Sequence, residues 1–288
     1  MIASAAASPS AESLWAITSY FNPMRYQRRL LNYRLFRERL NLPLVTVELA
    51  YGADFELTED DADILVQLRG GDVMWQKERL LNVALQALPP TCRKVVHLDC
   101  DIIFEADDWS EQVSRLLDRF WTIQLFSHAH YLRRDWTPDA LPRHAVEFTR
   151  TAIACAIASG VPALYCFRQP AEPRQASYSK GHAWATRREL LDQHGFYDAN
   201  ILGGGERATA AACYGVFNEI ARHQCMNERQ AHGIWPGRSV SMRLFMRRQP
   251  SWTAIFSISG MVSCGTGTRV HGTKVLSPLT SIHSKISR

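Results

Sequence analysis

The sequence predicts an α/β fold in which a mostly parallel sheet is flanked by helices in a single domain. Three observations predict it. Short apolar runs at Leu14–Tyr20, Leu44–Ala50, Ile64–Leu68 and Lys94–Leu98 read as strands buried on both faces. Helical patterns lie between several of these runs, and strand–helix alternation implies βαβ units. No internal repeat or low-complexity linker divides the 288 residues, a length that suits one large α/β domain.

The elements follow in order. Leu14–Tyr20 is β-rich and halted by Phe21-Asn22-Pro23, where a helix can start. Between Met24 and Leu40, Leu30, Leu31, Leu35 and Leu40 lie on one helical face among arginines. Leu44–Ala50 ends at Tyr51-Gly52, and Ile64–Leu68 closes at Gly70-Gly71. Gln76–Leu88 places Leu80, Leu81, Ala84, Leu85 and Leu88 on one face and stops at Pro89-Pro90. After the strand Lys94–Leu98, Glu105–Phe120 reads as a helix and Thr122–Phe126 as a strand. Residues 127–180 read as less regular, with one helix at Thr149–Ser159.

Composition is that of an ordinary soluble globular protein, and no apolar stretch approaches the roughly 18 residues of a membrane span. Residues 1–13 are Ala/Ser-rich with no basic start or apolar core, and read as a flexible tail. Seven scattered cysteines without a C-x-x-C pair point to free thiols in a reducing compartment, hence to the cytoplasm. The net charge of +5 is unevenly spread, since no Asp or Glu follows Glu228. At the chain-wide rate about six would be expected there. A basic nucleic-acid arm would need dense Lys/Arg clusters, which the segment lacks, so no nucleic-acid partner is expected.

The chemistry gathers at strand ends, where α/β proteins bind ligands. The run Val95-Val96-His97-Leu98 ends in Asp99-Cys100-Asp101. Paired carboxylates there can hold a hard divalent cation and, through it, a diphosphate, although such residues also cap helices. The first strand delivers Thr18, Ser19 and Tyr20 and the second Glu48, suited to a ribose or base edge or else to a helix cap and a sheet-edge charge. Lys77 and Arg79 open a helix and suit an anionic ligand or simply form its solvated face, while Asn82 lies on the same side as Glu78, so the two could reach one ligand together. Gly203-Gly204-Gly205-Glu206 lets backbone approach a ligand and presents Glu206 at a helix start, which a plain cap would also explain. It is not a phosphate loop, because it lacks spaced glycines and a Gly-Lys-Ser/Thr ending.

Taken together, the Thr18-Ser19-Tyr20 strand, Trp75-Gln76-Lys77-Glu78-Arg79…Asn82, Asp99-Cys100-Asp101, Gly181-His182-Ala183-Trp184-Ala185, Gly195-Phe196-Tyr197-Asp198 and Gly203–Glu206 resemble nucleotide-diphospho-sugar transferases of GT-A (Rossmann-like) fold. More narrowly, they are similar to family 2-like bacterial glycosyltransferases, over residues 14–228. The resemblance implies Mn²⁺ or Mg²⁺ on Asp99 and Asp101, a nucleotide-sugar donor, and a carbohydrate or other hydroxyl acceptor. It also implies donor contacts from Thr18, Tyr20, Glu48, Lys77, Asn82 and Asp99. Glu206 would be the general base of an inverting transfer, with Asp198 in reserve. A nucleotidyltransferase would share the sheet but needs a Gly-rich basic loop where Phe21-Asn22-Pro23 stands. A degenerate, non-catalytic nucleotide-sugar binder is the alternative from another class.

Similar transferases complete the metal site with a late histidine in a Trp-His-Gly context. Here the corresponding stretch reads Arg269-Val270-His271-Gly272 without the tryptophan, leaving His271 as the candidate third ligand. Residues 229–288 are therefore expected to be an atypical, acid-free, poorly ordered segment produced by a frame shift near Gln230. Translation of the gene in its other frames checks that expectation.

Overall fold

In the computed structural model, residues 14–133, 136, 145–167, 178–233 and 261–263 are described. The central sheet contains β1 (Leu14–Phe21), β2 (Leu44–Ala50), β3 (Ile64–Arg69), β4 (Lys94–Leu98), β6 (Thr122–Gln124) and β9 (Ala183–Arg187). Their order is β3-β2-β1-β4-β9-β6. The first four are parallel, with Tyr20 opposite Glu48 and Ile17 opposite His97, whereas β9 runs antiparallel to both β4 and β6. The sequence expectation of a mostly parallel sheet flanked by helices holds.

Period-two alternation divides each strand between two cores. Leu14, Ala16 and Tyr20 of β1, with Val96 and Leu98 of β4, pack on α1 (Gln27–Arg39) and α3 (Trp109–Leu117) through Tyr33, Phe36, Val113 and Leu117. Ile17, Val45, Val47 and Val95 face the other way, onto Leu80, Leu81, Ala84 and Leu85 of α2 (Lys77–Ala87). Because both faces are covered, the strands are continuous apolar runs, which is what made them legible. Leu191 of α6 (Arg188–His194) joins this second core. Among the described residues, no helix is long and apolar enough to cross a membrane. Cys92, Cys100, Cys155, Cys166, Cys213 and Cys225 are free thiols.

Two expectations of local structure are corrected. The helix expected over Glu105–Phe120 is shorter, because Ile102–Phe104 forms β5 and α3 starts only at Trp109, whose ring stacks on Phe104 at 4.0 Å. The helix expected over Thr149–Ser159 is split between β8 (Val146–Thr151) and α4 (Ile153–Ala158). Its first residues pair antiparallel with β7 (His128–Leu132), and the β-branched Thr149 and Thr151 suit that pairing. Tertiary pairing thus overrides the local pattern. These strands belong to a second sheet of order β5-β10-β7-β8. Its remaining strand, β10 (Met261–Ser263), comes from the acid-free segment and runs antiparallel to β5 and parallel to β7. After β9 the chain forms α7 (Gly205–Cys213), which packs on α8 (Phe217–His223).

Candidate functional site

The site is built on the end of β4. Thr18 Oγ1 in β1 donates to the Leu98 carbonyl at 2.8 Å, tying the two strands together one residue before the aspartates. The Asp99 amide then donates to the His182 carbonyl at 2.7 Å, just ahead of β9. His182 holds a φ of +75°, which non-glycine residues seldom adopt and which often marks functional backbone. Both ring nitrogens of His182 are used. Nδ1 meets Asp99 Oδ2 at 3.0 Å, and Nε2 meets the Tyr131 hydroxyl of β7 at 2.7 Å.

Lys77, at the first turn of α2, reaches into the same place. Its ammonium donates to Asp99 Oδ1 and to Glu206 Oε1, and the side chain is only 7% exposed. Glu206 arrives from the opposite side, in the first turn of α7 after Gly203-Gly204, both at a φ of +91°. Two glycines let carboxylates come this close. A Cβ on Gly181 would lie 1.9 Å from Glu206 Oε2, and one on Gly205 would lie 2.4 Å from Glu78 Oε1. Lys77 therefore joins a carboxylate at the end of the parallel sheet to one at the start of a later helix.

Electrostatics divide the carboxyl groups. Burial alone would raise the Asp99 pKa, but Lys77 and His182 hold it below the usual carboxylate range. Burial and the neighbouring Asp99 push Asp101 up to about 6. Burial raises Glu78 to about 7, with Lys77 opposing and Glu206 reinforcing that shift. Lys77 stays firmly protonated, because Asp99 and Glu206 outweigh the cost of its burial. His182 would also lose its proton on burial, but Tyr131 and Asp99 lift it to about 10.

The donor set is suited to a hard divalent cation. Among the described residues the Asp101 carboxylate accepts no hydrogen bond and forms no ion pair; burial and the like charge of Asp99 raise its pKa, and the charges of Arg29, His182 and Lys77 offset that rise only in part. Among the described residues no group of three His, Cys, Asp or Glu side chains gathers as a metal cage. One or two carboxylates with phosphate oxygens completing the shell is the usual arrangement for Mg²⁺.

Other sequence-derived candidates are engaged elsewhere. Tyr20 is buried and donates to Glu56 Oε2 at 2.9 Å. Glu48 accepts the Glu56 amide at 2.6 Å and the Gln67 side-chain amide at 2.9 Å, so both residues brace the loop after β2. Asn82 clamps the backbone of Phe196, accepting from its amide at 2.7 Å and donating to its carbonyl at 2.9 Å. Asp198 pairs with Arg79 at 3.0 Å and meets Asn82 at 3.3 Å. His271 lies outside the described residues. Lys77, Asp99 and Glu206 are brought together. Tyr131 and His182 carry no role in the sequence reading, since a lone histidine or tyrosine gives no spacing signal, and Glu78, read there as sharing a ligand with Asn82, lies against Gly205 while Asn82 holds Phe196. The positive φ of His182 is visible only in the fold.

No family model and no curated protein matches this chain. Similar solved structures include GT-A-type glycosyltransferases. One is Mycobacterium tuberculosis glucosyl-3-phosphoglycerate synthase in complex with Mn²⁺, UDP-glucose and phosphoglyceric acid, at 14% identity over 72% of this chain and 68% of that one, with a TM-score of 0.38. Another is S. aureus TarS 1–349, at 12% identity over 84% and 73%, TM-score 0.39. A third is 4-diphosphocytidyl-2C-methyl-D-erythritol synthase from Anaerococcus prevotii, at 11% identity over 95% and 97%, TM-score 0.36. At such TM-scores the functional reading rests on the geometry of the site itself.

Proposed function

We propose that this chain is a metal-dependent glycosyltransferase that moves a sugar from a nucleotide-diphosphate donor to an acceptor hydroxyl with inversion. The observation that carries the proposal is the Lys77 ammonium shared between Asp99, at the end of β4, and Glu206, at the start of α7. One carboxylate lies where parallel-sheet proteins bind nucleotides, and the other lies across from it, on the acceptor side.

Asp101, with Asp99 beside it, would hold Mn²⁺ or Mg²⁺. When that ion is bound, the charge that builds on the departing diphosphate is neutralised. Lys77 offers a second positive charge to the diphosphate, and moving toward it would release Glu206 Oε1. Glu206 then accepts the proton of the acceptor hydroxyl as that oxygen attacks the anomeric carbon. His182 stays protonated and, with Tyr131 behind it, keeps Asp99 oriented and ionised. Tyr20, Glu48 and Asn82 act by fixing the loops that wall the crevice. Asp198, engaged by Arg79, is the weaker candidate for the base.

Nucleotide-sugar turnover measured with and without Mn²⁺ tests the proposal. Glu206→Gln is expected to abolish transfer while nucleotide binding survives, and retention of most activity removes Glu206 from the base role. Asp101→Ala should lose metal dependence and activity together. Binding without turnover in the wild-type chain would favour a non-catalytic nucleotide-sugar binder.

A further inference from the structure

Beside Glu206 the described residues border a cavity of about 60 Å³, set between the sheet and α2, α6 and α7. Glu206, Thr209, Ala210 and Cys213 of α7 line it, and their spacing of three, four and seven residues puts them on one helical face. That face runs about 10 Å from the carboxylate to Cys213, at about 1.5 Å of rise per residue. Leu81 of α2, Trp184 of β9, Leu190 and Leu191 of α6, and Phe196 add apolar wall.

Polar atoms of three wall residues are satisfied inside the protein. Trp184 Nε1 donates to the Lys180 carbonyl at 2.9 Å, and the hydroxyls of Thr122 and Thr186 meet at 2.9 Å. His97 packs edge-to-face with Phe196, ring centroids 4.9 Å apart, and burial drives its pKa down to about 3, so it stays neutral. These groups therefore turn mainly aromatic and hydrocarbon surface to the cavity. A buried water needs about two to four polar partners, so a space of this kind suits an apolar ligand better than water. The two carboxylates in the wall stand together at one end. Glu78 and Glu206 come from the first turns of α2 and α7, and a Cβ added to the intervening Gly205 would lie 2.4 Å from Glu78 Oε1. The cavity is thus polar at the start of α7 and mostly apolar along it.

We propose that this cavity receives the apolar part of the acceptor, a hydroxyl carried on a short alkyl chain or small ring, with the hydroxyl at Glu206 and the hydrocarbon laid along α7 toward Cys213. The inference deepens the transferase reading and rests on Glu206 serving the acceptor hydroxyl. About 10–15 Å³ holds one water-sized group, so about four or five carbon atoms fill the 60 Å³ available. Hydrocarbon seated there also keeps water away from the base, where water would otherwise compete for the sugar.

The test uses the full chain and straight-chain primary alcohols from ethanol to octanol, with binding followed by ligand-detected NMR in the presence of a nucleoside diphosphate and Mn²⁺. Affinity is expected to rise about fourfold with each added methylene, up to about four or five carbons, and then to level off. Ala210→Leu narrows the cavity and Leu190→Ala widens it. The levelling point should move to shorter alcohols in the first and to longer ones in the second, opposite shifts that a loss of folding does not produce. Affinity independent of chain length, or a profile that neither variant moves, would overturn the site. A panel of nucleoside-diphosphate sugars then tests transfer to the same alcohols. Turnover that follows the binding profile and disappears in Glu206→Gln, with alcohol binding retained, supports the acceptor role. Transfer to polyols with no dependence on chain length leaves the transferase reading standing and overturns the inference. Variant-sensitive binding without transfer of any sugar removes the transferase reading and the acceptor role together, and an apolar ligand site remains.

Discussion

Gly181→Ala is the sharpest probe of how this site is assembled. The backbone of Gly181 is not in the left-handed region, so alanine suits its conformation, and the three atoms nearest the new Cβ all belong to the Glu206 carboxylate, Oε2 at 1.9 Å. An ordinary contact begins near 3.4 Å, so Glu206 Oε2 must retreat by about 1.5 Å. The carboxylate is the far end of a flexible side chain that is 27% exposed, and it can swing aside. That movement breaks the bond to Lys77 and displaces the proposed base. Stability should therefore fall only slightly, by about 1 kcal/mol for one partly exposed charge-assisted bond. Catalysis should fall far more, because a misplacement of about 1 Å at a reacting group costs roughly 100-fold. The assay pairs nucleotide-sugar transfer rates with thermal unfolding and nucleotide titration. A variant with near-wild-type turnover would refute the role given to Glu206. One that fails to fold would show that Gly181 serves packing instead.

Three further expectations follow from the same geometry. Lys77→Met leaves Asp99 and Glu206 without their shared ammonium; breaking such a buried pair costs about 3 kcal/mol, to be read from denaturant unfolding, and an unchanged midpoint would refute the pairing. His182 rises from 6.5 to about 10 on folding, so its contribution to stability is fully present below about pH 6.5 and is lost as pH rises through about 10. Wild type minus His182→Gln, measured in metal-free buffer, should therefore narrow by a few kcal/mol, roughly, across that window, and a difference independent of pH would refute the pairing with Asp99 and Tyr131. Asn82→Ala should lower stability by about 2 kcal/mol through its two bonds to Phe196 while leaving nucleotide affinity nearly unchanged, whereas a selective loss of affinity would return Asn82 to the donor site.

The sequence by itself determined the four parallel strands of the central sheet and singled out candidate residues at their ends. β1 to β4 were legible because strands covered on both faces must be apolar throughout, and α2 because its apolar period ends at two prolines. Asp99, Asp101, Lys77 and Glu206 stood out because α/β proteins bind ligands at strand ends and helix starts, although a helix cap or a solvated face would explain each residue taken alone. What the sequence left open was settled by long-range contacts. Arg150 lies in a stretch that looks locally helical yet pairs as a strand, and only that pairing brings its side chain over Tyr131. Tyr20, Glu48 and Asn82 have the residue types of ligand contacts, but their polar atoms are taken by Glu56, Gln67 and Phe196. Which partner a polar side chain finds depends on segments tens of residues away, whereas burial on a sheet face repeats along the strand itself. The tertiary structure alone decided that Lys77 joins Asp99 to Glu206, across 22 and 129 residues of chain.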